Sequence, residues 1–153
     1  MILLHWFPIV DGFSVCPQWR IQPGFHTIDF TVTFPIGGHN HPLLLLEIKA
    51  PSHFHSDSKR INAIHQVIQR LDAVGPTNQQ VDKLFAISAL GRRWRACYAL
   101  RGHNSVGGQP VKGIAERSSL RSSSPECWNP DIMSPASWRA FQKIANIIKA
   151  YVI

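Results

Sequence analysis

Acidic residues are scarce in this sequence. Nine Asp and Glu stand against sixteen Lys and Arg in 153 residues, so the formal net charge is +7 and the isoelectric point is near 9.8. A chain with this balance is suited to anionic partners, of which nucleic acid is the commonest. Because only three residues are glutamates, a glutamate inside an apolar segment is more informative here than in an acidic protein.

Cysteine and long apolar runs are also in short supply. The three cysteines, Cys16, Cys97 and Cys127, are widely spaced and form no CxxC pair, which excludes a disulfide framework. We therefore expect a reducing, intracellular compartment, the nucleus or the cytoplasm. No stretch reaches the roughly 20 apolar residues that cross a membrane. The first ten residues lack a basic lead, so we expect neither a signal peptide nor a membrane partner.

The most distinctive segment is the ten-residue stretch 42–51, which reads PLLLLEIKAP. A short apolar run of this kind predicts a buried strand. Near its end the stretch contains two charged residues, Glu47 and Lys49, and burying either charge alone would cost several kcal/mol. Because residues two apart in a strand point to the same face, Glu47 and Lys49 are expected to project side by side. The alternative is a structural ion pair at a strand end.

Alternation and turn residues predict one domain over 1–153 with an α/β fold. A mixed central sheet of five strands is expected, with a helix after the third strand and a C-terminal helix, and a further short edge strand is conceivable near 111–115. Residues 35–42, with Gly37 and Gly38, predict a hairpin loop. The expected strands are 13–21, 25–34, 43–50, 83–90 and 93–100, and the expected helices are 58–73 and 135–151.

Asp29 is the carboxylate that this topology should bring near Glu47. In an antiparallel hairpin the start of the first strand lies beside the end of the second. Two carboxylates at one sheet end can hold Mg²⁺, which keeps several waters and takes one or two protein carboxylates. Such a cation lowers the pKa of a bound water, and Lys49 alongside could stabilise charge developing on a phosphate.

The order Asp29, then Glu47-Ile48-Lys49 on the next strand, then a helix and two strands, resembles the PD-(D/E)XK nuclease superfamily, which includes many restriction endonucleases. The resemblance spans about residues 13–100, and the text around DFTVTF and PLLLLEIKAP is similar to small fungal members. It implies a restriction endonuclease-like fold and hydrolysis of nucleic-acid phosphodiesters with Mg²⁺ or Mn²⁺. By the resemblance, Asp29 and Glu47 are metal ligands and Lys49 is the catalytic lysine.

The sequence departs from the family pattern at its start. The family pattern usually begins with a helix that carries an acid, whereas the only acid before Asp29 here is Asp11, so we expect that helix to be truncated. This departure leaves two functions open. One is a nuclease, and the other is a non-catalytic protein that binds nucleic acid or another partner on a nuclease-derived fold.

Several residues around the motif are further candidates. In parts of the superfamily a glutamine on the helix after the motif faces the site, so Gln66 is a catalytic candidate, although a solvated helix face is the simpler interpretation. Residues 82–121 contain eight Lys or Arg against two acids. Such side chains either contact a phosphate backbone or belong to a solvated turn, and DNA is the expected partner ahead of RNA. The nucleic-acid-binding candidates are Lys59, Arg60, Arg92, Arg93 and Arg95.

Four histidines flank the leucine strand in two pairs with i, i+2 spacing. His39 and His41 precede the strand, and His53 and His55 follow it. Together they could in principle bind Zn²⁺, but no cysteine pair supports such a site. A Gly-Gly-flanked loop is the plain interpretation of the first pair, and contact with phosphate is an alternative for the second.

Overall fold

The computed structural model describes residues 2–20, 27–74, 81–100, 114–116, 123–129 and 131–152. Within these residues the chain forms an α/β structure around one mixed sheet, as the sequence predicts. The helices are α1 at Ile2–Trp6, α2 at Asp57–Val74 and α3 at Pro135–Val152. The strands are β1 at Ser14–Trp19, β2 at Ile28–Ile36, β3 at His39–Lys49, β4 at Lys83–Leu90, β5 at Arg93–Leu100 and β6 at Ile114–Glu116.

The sheet has six strands in the order β1-β2-β3-β4-β5-β6. Strands β1, β2 and β3 are antiparallel neighbours, β3 and β4 are parallel, and β4 and β5 form a second antiparallel pair. The parallel pair requires a crossover connection, which α2 provides. The carboxyl ends of β3 and β4 therefore lie at the same edge, where Glu47 pairs with Ser88 and Lys49 pairs with Leu90.

The hairpin between β2 and β3 differs from the predicted loop. Strand β2 continues through Pro35 and β3 includes Pro42, so only Gly37 and Gly38 form the turn, with φ of 59° and 84°. Two successive residues at positive φ close a tight turn that matches the twist of the strands. Pro42 is tolerated in β3 because the register shifts there, between Val32 and Thr33 of the partner strand. The predicted loop at 35–42 was therefore too long, and β3 begins four residues before its predicted start.

Helix α3 covers one face of the sheet, but its buried stripe is narrower than predicted. Phe141, Ile144, Ala145 and Ile148 belong to the hydrophobic core on this face. The ring of Trp94 on β5 stacks on Phe141, with ring centroids 4.5 Å apart. Trp138 and Tyr151 lie at helical spacing on the apolar stripe of this helix, which predicts that they are core residues, but both are about 40% exposed. Trp138 packs at the edge of this layer against Trp6 of α1, with ring centroids 4.3 Å apart.

Helix α2 covers the opposite face. The spacing of Ile61, Ile64, Ile68 and Leu71 predicts an apolar stripe on this helix. Of these residues Ile64 and Leu71 are buried, whereas Ile61 is exposed and Ile68 is half-buried. The stripe is rotated so that two arginines join it, and the buried residues are Arg60, Ala63, Ile64, Val67, Arg70, Leu71 and Val74. The periodicity predicted the helix correctly, but the apolar residues alone did not show that its inner face is partly cationic.

The remaining differences lie at the ends of elements. Strand β1 starts and ends inside its predicted span, and β2 begins at Ile28 and extends two residues beyond its predicted end. Both β4 and β5 match their predicted bounds, and both long helices match theirs within one residue. Of the predicted edge strand at 111–115, Ile114 and Ala115 lie in β6, and residues 111–113 fall outside the described residues. None of the described helices combines the length and apolar character of a membrane span.

Candidate functional site

Glu47 is the centre of a buried polar cluster on the α2-facing side of the sheet. It is 3% exposed, although it lies near the carboxyl end of an apolar strand. Its Oε2 lies 3.5 Å from the Lys49 Nζ, so the two motif side chains share a face as the alternation predicted. Its Oε1 accepts a hydrogen bond of 3.1 Å from the Nε of Arg70. Each carboxylate oxygen therefore faces a cation, which offsets the cost of burying the charge.

Arg70 is the residue of this cluster that the sequence analysis missed. It lies on α2, 23 residues after Glu47, and is itself 9% exposed. The signal that could have found it is its spacing, because Arg70 lies one helical turn after Gln66 and therefore on the same side of the helix. An arginine on a stripe with Val67 and Leu71 should be paired if it is buried.

The Asp29 side chain contacts the backbone of the segment Glu47-Ile48-Lys49. Its Oδ2 accepts a hydrogen bond of 2.6 Å from the backbone N–H of Ile48, across the gap from β2 to β3. Hairpin pairing thus brings Asp29 beside the Glu47-Ile48-Lys49 segment, as predicted. Within the described residues no ion pair joins its carboxylate to Lys49. Asp29 and Ile48 also border an open groove of about 430 Å³, with Pro17, Gln18 and Phe30.

A cross-strand row extends from Glu47 over two further strands. Glu47 pairs with Ser88 on β4, and Ser88 pairs with Arg95 on β5. Residues directly opposite each other on adjacent strands point to the same face, so all three side chains face α2. Arg95 also lies near the thiol of Cys97, whose pKa is raised to about 12 by burial, with a smaller opposing effect from the Arg95 charge.

Gln66 lies on the side of α2 that carries Arg70. Its Oε1 atom is buried without a hydrogen-bond partner in the described part of the chain. The solvated-face interpretation of Gln66 is therefore wrong for its amide oxygen. A buried amide acceptor one helical turn from Arg70 is able to receive a hydrogen bond from a ligand or a water.

The basic candidates lie in different environments. Arg60 is buried, and its guanidinium donates to the carbonyl oxygens of Ser123 and Phe54 and pairs with Asp57. Its assignment as a nucleic-acid contact is corrected on this ground, because these donors are used within the protein. Lys59 is exposed on the first turn of α2.

The three arginines around the β4–β5 turn also differ from one another. Arg92 is exposed and donates two hydrogen bonds to the carboxylate of Asp131. The Arg93 guanidinium lies over the Phe54 ring, 4.9 Å from its centroid. In the sheet Arg93 is opposite Leu90 of β4, and Leu90 is opposite Lys49 of β3. The Arg93 side chain therefore faces the same side as the motif, as Arg95 does. Arg101, Lys112, Arg117 and Arg121 of the basic stretch lie outside the described residues.

No group of three or more His, Cys, Asp or Glu side chains that could hold a metal ion occurs among the described residues. The histidine pairs around β3 are included in that range, so the described part of the chain contains no four-histidine Zn²⁺ site. A centre with two carboxylates is not covered by this finding. The assignment of Asp29 and Glu47 as Mg²⁺ ligands remains a prediction.

Comparisons with known proteins leave the family open. No protein-family profile matches the chain, and no curated protein or solved structure matches it. The candidate site is therefore interpreted from its own residues.

Proposed function

We propose that this protein acts on nucleic acid, hydrolysing phosphodiester bonds at a PD-(D/E)XK-type site formed by Asp29, Glu47 and Lys49, in the nucleus or the cytoplasm. The observation that carries the proposal is the buried Glu47 carboxylate, which contacts Lys49 at the end of a central strand while Asp29 is fixed at the intervening amide. Burying a carboxylate is costly unless it is paired or binds a ligand, and the partial exposure of Lys49 leaves that partner able to contact a phosphate.

The basic side chains on the same face support a polyanionic partner. Lys49, Arg93 and Arg95 all project from the sheet on the side that faces α2. Phosphate contacts of this kind provide sequence-independent affinity that decreases as salt increases. The exposed Lys59 and Arg92 would extend this contact beyond the motif.

The donor atoms fit the hard divalent cation that the resemblance implies. Asp29 and Glu47 supply carboxylate oxygens, and the Oε1 of Gln66, which has no partner among the described residues, is a further buried oxygen on α2. Mg²⁺ and Mn²⁺ prefer oxygen ligands, and one or two carboxylates are enough. Asp29 and Glu47 would hold the ion, which when bound supplies an acidified water and neutralises phosphate charge.

The chain's own residues have separate tasks in this proposal. Asp29 fixes the backbone of the motif through the Ile48 amide, which sets the direction of the neighbouring side chains. Lys49 is partly exposed and can donate to a phosphate oxygen as negative charge develops. The partly buried Gln66 amide can accept a hydrogen bond from a water near the phosphate.

The test is cleavage of plasmid DNA, single-stranded DNA and RNA in the presence of Mg²⁺ or Mn²⁺. We expect cleavage that EDTA stops, with a loss of about 100-fold or more in Lys49→Ala and in Glu47→Gln. Lys143→Ala, which removes a charge from the exposed side of α3, is the matched control and should retain activity. Metal-dependent cleavage that persists unchanged in both motif variants would overturn the assignment.

The ion pair between Arg70 and Glu47 favours a second function, a non-catalytic nucleic-acid-binding protein. An arginine that already neutralises Glu47 removes part of the reason for the carboxylate to bind a cation. This alternative predicts salt-sensitive binding without metal-dependent cleavage. Calorimetric titration with Mn²⁺ separates the two, because uptake that is lost in Glu47→Gln is expected only for the hydrolase.

A further inference from the structure

The open groove of about 430 Å³ lies directly beside the motif. Its lining residues are Pro17, Gln18, Asp29, Phe30 and Ile48. Two of them belong to the proposed site, because the Asp29 carboxylate accepts the hydrogen bond from the Ile48 amide inside the Glu47-Ile48-Lys49 segment. Pockets for small organic ligands have volumes of roughly 300–1,000 Å³. The groove therefore has room for a ligand group next to the motif.

Much of the lining is apolar. Pro17 and Phe30 are opposite each other on β1 and β2. Ile48 of β3 adds a large apolar side chain that is 44% exposed. Covering such surfaces with a flat apolar group removes them from water, which favours binding. Ligand sites usually combine an apolar lining of this kind with a few polar groups that fix the orientation of the ligand.

Gln18 supplies a polar group at a strained position. Its φ is 48°, and it is the only non-glycine residue with positive φ among those that the structure describes. Because Pro17 is opposite Phe30 and Trp19 is opposite Ile28, Gln18 lies across from Asp29. Left-handed backbone at a residue other than glycine costs free energy, and it is concentrated at sites that bind ligands.

The hydrogen-bonding groups of the groove are available to a ligand. Gln18 is exposed, and its amide has no hydrogen-bond partner among the described residues. A glutamine amide offers two donors and one acceptor at one end of the side chain. A nucleobase has flat apolar faces and an edge that carries both donors and acceptors. The apolar lining fits the faces of a base, and the Gln18 amide fits its edge.

We infer that this groove binds an unpaired nucleobase, with its faces against Phe30 and Ile48 and its edge at Gln18. The inference rests on the proposed nucleic-acid partner and names its form, a strand that is single or locally opened. Bases that are paired and stacked in a duplex cannot enter such a groove without leaving the stack. Asp29 keeps its proposed role at the metal, and binding of the base needs no metal.

The experiment measures fluorescence anisotropy of two labelled single-stranded oligonucleotides with the full chain in EDTA. One has a mixed base sequence, and the other has the same sugar-phosphate backbone with an abasic site at every position, so both carry the same number of phosphates. We expect wild type to bind the strand with bases at least about tenfold more tightly, because stacking of a base adds affinity that phosphate contacts do not supply.

Two variants of the groove locate this preference. Gln18→Gly removes the amide but suits a φ of 48°, so its urea midpoint should not fall below that of wild type. Ile48→Thr keeps a β-branched side chain and removes apolar surface. Each variant should reduce the tenfold preference to about threefold or less. Val10→Thr is the control, because Val10 is 92% exposed before the start of β1, whereas the groove lies near the end of that strand, and it should retain the preference.

The possible failures are distinguishable. Equal affinity of wild type for the two strands, or an unchanged preference in either groove variant, would overturn the inference and leave the nucleic-acid partner in place. Failure to bind either strand would remove the partner, and the inference with it. A protein that shows the expected preference but never cleaves with Mg²⁺ or Mn²⁺ would retain the base-binding groove and lose the proposed hydrolysis.

Discussion

At the scale of single residues, the central fact is that one buried carboxylate has two cationic partners of different kinds. Lys49 is partly exposed to solvent, whereas Arg70 is held in the α2 layer. A buried charge whose partner is removed costs far more than an exposed one, because water cannot replace the lost contact. The stability of the site should therefore depend mainly on Arg70.

The prediction concerns replacement of Arg70 by methionine. Arg70→Met leaves Glu47 buried beside a half-exposed lysine, so we expect a loss of about 3 kcal/mol in the free energy of unfolding, measured by urea denaturation. The double variant Glu47→Leu/Arg70→Met should recover much of this loss, because it leaves neither charge buried without its partner. Arg92→Met, which breaks an exposed pair with Asp131, is the control and should have a much smaller effect. A double variant no more stable than the single one would contradict this account of the pair.

At the scale of elements, the turn between β4 and β5 packs tightly against the segment that follows β3. Gly91 has φ of 62° and its N–H donates to the carbonyl oxygen of Lys49. A Cβ built on Gly91 would lie 2.7 Å from the Pro51 ring, closer than real Cβ contacts. This contact joins the carboxyl ends of β3 and β4, where the motif lies, so the turn helps to fix the position of Lys49.

Comparing two glycine substitutions isolates the contribution of this contact. Gly37 has φ of 59°, nearly that of Gly91, but a Cβ there would meet nothing within 4 Å. Both Gly37→Ala and Gly91→Ala strain the backbone by about 1 kcal/mol. We expect Gly91→Ala to cost about 1–3 kcal/mol more in urea denaturation, because the Pro51 ring must also move. Equal losses in the two variants would show that the close approach is not constraining.

At the scale of the whole molecule, helices on both faces make the middle of the sheet an interior layer. Cys97 of β5 lies in it, and burial raises the pKa of its thiol to about 12, from an ordinary value of 9.0. The unfolded thiol ionises above pH 9 while the folded one stays protonated, so this group favours folding below pH 9. That contribution is lost progressively as the pH rises from 9 toward 12.

Thiol labelling measures this layer directly. In a Cys16→Ser/Cys127→Ser variant, Cys97 is the single remaining thiol. We expect it to react with a maleimide at least about 100-fold more slowly in the native protein than in urea, because the folded thiol is not ionised and the reagent cannot reach it. The matched variant that retains the half-buried Cys16 on edge strand β1 should react readily without urea. Fast native labelling of Cys97 would contradict a closed two-sided layer.

Local patterns in the sequence determined much of the fold. Alternation along β2, β4 and β5, the leucine run of β3, and the 3.6-residue periods of α2 and α3 are properties of neighbouring residues. They gave the element order, the hairpin between Asp29 and Glu47, and the shared face of Glu47 and Lys49. The turn at Gly37 and Gly38 was predicted at the right position, but the predicted loop was too long. Pro35 and Pro42 were expected to end the strands, whereas a register shift accommodates Pro42 within β3.

Only the tertiary structure decided which charges meet. The packing of α2 on the sheet brings Arg70 into contact with Glu47 and buries Arg60. The parallel pairing of β3 with β4 places Glu47 opposite Ser88, and Arg95 of β5 lies opposite Ser88 on its other side. These contacts join residues more than 20 positions apart, and register and helix rotation set them rather than any local pattern. The sequence by itself identified a carboxylate and a lysine on one strand. Packing placed Lys49 and Arg70 against the two oxygens of that carboxylate, because a charge buried between two layers is costly unless it is paired.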